Sequence, residues 1–261
     1  MPPGIRARPH FGRLLAAFVA AELKRAGRML ARSGQRRHVG IHQGRKSLRR
    51  ARAALALGGP ALQPAAAVQD RAIRTICRSL SRERDAHAVI DTLKTLADGH
   101  GEVSARELKR TADLLRERRD TILATRLARD PDLARLRTHL ARIAERCARL
   151  PWDRVEASHV HDALARSLRR CAAAERRALR DLLRDPEPLH RWRRRLRRLR
   201  QQIFALEKQT GLDWREYAAT PDPADALSEA QDRSVLAAIL RRLKGLDRDT
   251  RRRLLAACRG Y

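Results

Sequence analysis

Apolar residues recur along almost the whole chain at spacings of three and four, and no segment alternates convincingly with period two. Leucine and alanine supply most of this pattern, and arginine and glutamate fill the positions between. All four are strong helix formers. Proline and glycine interrupt the pattern at Gly34, Gly58–Pro60, Gly99–Gly101, Pro131, Pro151, Pro186–Pro188, Gly211 and Pro221–Pro223. The segments between predict ten helices, over 9–33, 38–57, 63–80, 82–98, 103–128, 131–149, 157–184, 187–207, 224–243 and 247–258. Pro131 and Pro188 suit helix starts, where a missing N–H costs nothing. The expected fold class is all-α, with the helices packed as bundles. Leu14–Ala21 (LLAAFVAA) follows Arg6, Arg8 and Arg13 in the outline of a secretion signal, but Glu22, Lys24 and Arg25 follow at once. An amphipathic helix is the better reading. No apolar run approaches the roughly 20 residues of a membrane span.

The pattern also repeats. Residues 41–52 (IHQGRKSLRRAR) and 189–200 (LHRWRRRLRRLR) align at an offset of 148. Residues 80–89 (LSRERDAHAV) and 227–236 (LSEAQDRSVL) align at 147, in the same order. Two related halves are expected, about 9–128 and 131–261. On a helical wheel, Leu189, Trp192, Leu196, Leu199 and Ile203 form one stripe. His190, Arg193, Arg194, Arg197 and Gln201 form the next. In the first half, Ile41, Leu48 and Leu55 form the seam beside His42, Arg45, Lys46, Arg49 and Arg52. Each basic face lines up three or four cations over roughly 11–15 Å. Like charges at i,i+4 weaken a helix by a few tenths of a kcal/mol per pair, and few acidic partners stand at that spacing. The missing counter-charge points to a ligand.

Composition sharpens this reading. The chain has 261 residues with 59 Lys+Arg against 30 Asp+Glu, a net charge of +29. Of the basic residues, 53 are arginine, whose planar fork matches pairs of phosphate oxygens. Such an excess repels itself in the compact state and suits a polyanionic partner. Hydrophobic residues reach 43%, enough for a core, and aromatics only 3%, which opposes a large sheet. Cys77, Cys147, Cys171 and Cys258 show no paired spacing and read as reduced thiols of a cytoplasmic protein. His38/His42 and His159/His161/Asp162 have spacings open to metal, but their cationic surroundings oppose a divalent ion. No metal site and no cofactor are assigned. No nucleophile–base pair or phosphate loop motif stands out.

His42 and His190 come early in their helices, where free N–H groups favour anions. Each suits either a phosphate contact or a cap on its own helix. Asp85 and Asp232 suit either clamps that orient guanidinium groups or helix N-terminal acids favoured by the dipole. Lys24, Arg28, Arg169, Arg170, Arg176 and Arg177 precede the basic helices and read as extensions of the basic face or as solvated surface.

The doubled motif resembles the hallmark of the CHAD domain, the conserved histidine α-helical domain. It is apolar-His-x-x-Arg-x-x-x-Arg-Arg-x-Arg, carried by His42, Arg45, Arg49, Arg50 and Arg52, and by His190, Arg193, Arg197, Arg198 and Arg200. Lys46 and Arg194 flank it. Leu80–Asp85 and Leu227–Asp232 resemble the family's second segment, with Ser81 and Ser228 where glycine is common. Gly44 stands where leucine is more usual, so the first half is expected to be either looser or more tightly packed against a neighbour. The resemblance spans essentially the whole chain as a single domain over 1–261. It implies two pseudo-symmetric antiparallel bundles with a basic groove or pore between them. It also implies non-catalytic binding of inorganic polyphosphate by these residues, with association with polyphosphate granules. Sequence-independent binding of duplex DNA or RNA is the second reading, and a structural role at storage-granule surfaces the third. The sequence does not set the oligomeric state. The Glu-x-Glu-x-Lys signature of the triphosphatase domain often joined to this family is absent.

Overall fold

A computed structural model describes residues 10–97, 103–180, 187–211, 213–214 and 223–259. The described residues are helical, without a strand. Ten α-helices run in chain order: α1 (Phe11–Leu30), α2 (Arg37–Leu57), α3 (Ala65–Ser79), α4 (Ser81–Ala97), α5 (Ala105–Arg129), α6 (Ala134–Ala148), α7 (Ala157–Arg180), α8 (Glu187–Thr210), α9 (Ala224–Leu240) and α10 (Arg248–Ala257). Each predicted helix has its counterpart. The predicted breaks at 99–101 and at Pro186 and Pro221, and the predicted helical residues 9, 98 and 181–184, lie outside the described residues.

Two ends differ for local reasons. Pro131 opens a short 3-10 turn rather than an α-helix, because Asp132 and Leu133 take φ of 51° and 54°, so α6 starts at Ala134. α8 runs on to Thr210, whose hydroxyl donates to the Leu206 carbonyl and accepts from Trp214 Nε1 at 2.9 Å. Gly211, at φ 68°, then ends it.

The helices sort into two compact units. The first holds α1, α2, α3, α6, α7 and α8. In it α1 lies along α2 and α7 along α8, and α2 packs on both α3 and α8. Burial in this unit repeats at the 148-residue offset. In α1 the buried positions include Leu15, Leu23, Ala26 and Leu30; in α7 they include Ala163, Cys171, Ala174 and Ala178. In α2 they include Gly44, Leu48, Ala51 and Leu55, matched in α8 by Trp192, Leu196, Leu199 and Ile203. The second unit holds α4, α5, α9 and α10 around a core that includes Val89, Leu93, Leu115, Leu236, Leu240 and Leu254. Its polar clasp is Glu107 at the start of α5. Glu107 completes a capping box with Ser104 and accepts from the Thr250 hydroxyl at 2.7 Å and from Arg253, both on α10.

Candidate polyanion site

Both His/Arg helices, α2 and α8, lie in the first unit and pack on one another. Their apolar seams are turned into the core, as the spacing predicts: Ile41, Leu48, Leu55, Trp192, Leu196, Leu199 and Ile203 are buried, and Leu189 is half-buried. Beside these seams, His42, Arg49, His190, Arg193 and Arg197 are half-buried, while Lys46, Arg194 and Arg200 are exposed. Arg194 reaches Glu187 at 2.8 Å, an exposed pair of small energetic weight.

Three arginines of the first motif have internal work instead of an outward face. Arg45 is buried and donates to the Cys77 carbonyl in the last turn of α3, where helix carbonyls lack intrahelical partners. Arg50 pairs with buried Glu22 of α1 at 3.5 Å and lies 4.1 Å over the Phe204 ring of α8. Arg52 forks onto Asp70 of α3, with both N···O distances at 2.9 Å. Arg45, Arg50 and Arg52, expected to face the ligand, thus each make a helix-to-helix contact. The wheel could not show this, because every partner lies on another helix.

A pocket opens where α7 and α8 meet the end of α2. Arg166 and Arg170 line it from α7, one turn apart, and Arg195 and Arg198 from α8. Ala56, Ala163 and Ser167 complete the lining, and among the described residues no acidic side chain does. Burial and the neighbouring Arg52, Arg195 and Arg170 lower the pKa of Arg198 against the pull of Asp70. Asp70 is already forked onto Arg52. Arg170 and Arg198 were marked by the sequence. Arg166 and Arg195 were not, although Arg166/Arg170 stand at i,i+4 and Arg195/Arg198 at i,i+3.

The remaining candidates sit elsewhere. Lys24, Arg28, Arg169, Arg176 and Arg177 are exposed on α1 and α7. Asp85 and Asp232 belong to the second unit, where Arg84 lies 2.8 Å from Asp85 and 4.0 Å from Asp232. One guanidinium thus faces both repeat positions. His159 Nδ1 accepts from the Glu156 backbone N–H at 3.2 Å at the start of α7, and His161 lies 3.7 Å from Asp162. Among the described residues no group of three His, Cys, Asp or Glu is placed to hold a metal. Among them, too, no helix is long and apolar enough to cross a membrane. Burial raises the Cys147 thiol to about 12, so it stays protonated.

No curated protein and no solved structure is matched by this chain. A family model for the CHAD domain matches residues 13–241, a span that takes in both His/Arg helices and all four pocket arginines. The chain therefore belongs to the CHAD domain family, a family associated with polyphosphate binding.

Proposed function

We propose that the protein binds inorganic polyphosphate, without transforming it, on the arginine-rich face of α7 and α8. The observation that carries this reading is a pocket lined by four arginines and, among the described residues, by no acid. Guanidinium forks match phosphate oxygens in pairs and stay charged in any surroundings, which suits holding phosphate rather than attacking it. Half-buried Arg193, Arg197 and His190 continue the basic surface along α8. The same binding would hold the protein on polyphosphate granules.

The described aromatic residues argue against single-stranded nucleic acid, whose binders stack bases on exposed rings. Phe11, Phe18, Trp152, Trp192 and Trp214 are buried, and Arg50 covers Phe204. Duplex DNA is the competitor the experiment must include. Long-chain polyphosphate, duplex DNA and RNA are compared at equal phosphate concentration in about 0.15 M salt, where exposed charges are screened beyond roughly 8 Å. Polyphosphate is expected to displace both nucleic acids. Equal competition would leave only diffuse charge attraction. Arg193→Ala with Arg197→Ala is expected to weaken binding much more than Arg248→Ala with Arg252→Ala. That control pair is exposed on α10, whereas Arg251 donates to the Leu243 and Leu246 carbonyls and holds its own loop.

A further inference from the structure

The four-arginine pocket has a filled twin in the same unit. Subtracting the 148-residue offset turns Arg198 into Arg50, Arg170 into Glu22 and Arg166 into Phe18. Adding it turns Ala56 into Phe204. In the first half these counterparts touch: Arg50 pairs with Glu22 and covers Phe204, and Phe204 meets Phe18 edge-on at 6.2 Å. The first-half site is thus a neutralised cation sealed by two rings. In the second half the rings are replaced by a methyl group and a guanidinium, and the carboxylate by another guanidinium. Ser167 and Ala163 likewise replace Val19 and Leu15, which are 1% and 0% exposed. The residues at these positions leave the second site open and cationic.

We propose that this pocket seats the terminal phosphate of a polyphosphate chain. The inference rests on the polyphosphate reading above and names the part of the polymer recognised. Its lining runs from buried Ala163 to exposed Arg170 and Arg195, so a phosphate can enter from the surface and meet arginines of both helices. Charge points to an end. A phosphate with a single bridging bond carries about −1.5 to −2 charges near pH 7 and three acceptor oxygens. An interior unit carries one charge and two free oxygens. Four arginines lining one pocket match the end better, and the burial that lowers Arg198 strengthens each contact made there.

The test uses linear polyphosphate of one narrow length, either with free ends or with both ends capped as phosphoramidates. The free-ended chain is expected to bind about tenfold tighter to the full-length protein. Ala56→Phe with Arg170→Glu rebuilds the Phe204/Glu22 pattern that this chain already folds with, and should remove the difference between the two chains. Arg166→Gln with Arg170→Gln removes the charges while keeping polar, unbranched side chains and should do the same, with folding of both variants checked by circular dichroism melts. Equal binding of capped and free chains by the parent protein would overturn the end-group site and leave polyphosphate binding standing. A preference for free ends that survives in both folded variants would also overturn it. Failure to bind either chain would overturn the functional reading itself.

Discussion

Gly40 and Gly44 sit one turn apart on the face of α2 that meets α1. A Cβ at Gly40 would lie 2.3 Å from the Met29 carbonyl oxygen, and one at Gly44 would lie 3.0 Å from Leu30 Cγ. Gly44 is thus a close-packing residue, at the position where α8 carries Trp192. Alanine would gain about 1 kcal/mol of helix propensity at either place, but the obstacle at Gly40 is backbone. Gly40→Ala is expected to destabilise the protein by about 1–3 kcal/mol. Gly44→Ala meets a side chain that can turn, and its effect should stay within about 1 kcal/mol. Thermal or urea melts of the two variants decide this, and a stabilised Gly40→Ala would refute the close approach. Arg45 makes a different kind of contact. Arg45→Met leaves the buried Cys77 carbonyl without its guanidinium donor, at an expected cost of about 1–3 kcal/mol read in the same melts.

At the scale of elements, α5 and α10 are joined through Glu107. The Thr250 hydroxyl, then the Ser104 hydroxyl and backbone N–H, then Arg253, hold its pKa at about 2, below the ordinary 4.5. A lowered carboxylate contributes stability that is fully present above about pH 4.5 and is lost as pH falls through about 2. Parent and Glu107→Gln should therefore differ most in melting temperature near pH 7, draw together as pH falls below about 4.5 and converge only near pH 2. A constant gap would mean that the clasp does not depend on ionisation. The helices themselves were legible because their stripes and Pro/Gly breaks are local. The start of α6 was not, because the positive φ of Asp132 and Leu133 has no signature in those residue types. The hallmark faces of α2 and α8 were legible by spacing. The internal roles of Arg50 and Arg52 were not, since Glu22, Phe204 and Asp70 lie on other helices. Arg166 could have been found by extending the 148-residue alignment back to α1, where it falls opposite Phe18.

For the whole molecule, a net charge of +29 makes two opposite salt dependences expected at once. Added NaCl screens self-repulsion and should raise the melting temperature steadily. Polyphosphate should raise it too, but by binding the folded state. At a free concentration one hundred times its dissociation constant, the gain is about 2.7 kcal/mol. For a chain of this size that corresponds to roughly 5–10 °C. Phosphate contacts release counterions, so this increment must shrink as salt rises while the unliganded melting temperature climbs. Melts with and without polyphosphate from about 0.05 to 1 M NaCl separate the two effects. An increment that stays constant across that range would place the interaction on contacts other than the guanidinium groups and overturn the charge-based site. The pocket variants add a second axis. Rebuilding the sealed site with Ala56→Phe and Arg170→Glu removes one positive charge from a crowded cationic cluster and adds a negative one. The unliganded protein should then melt higher at low salt, while the increment from polyphosphate falls. Stability and binding would move in opposite directions, as expected where like charges are held together for a partner.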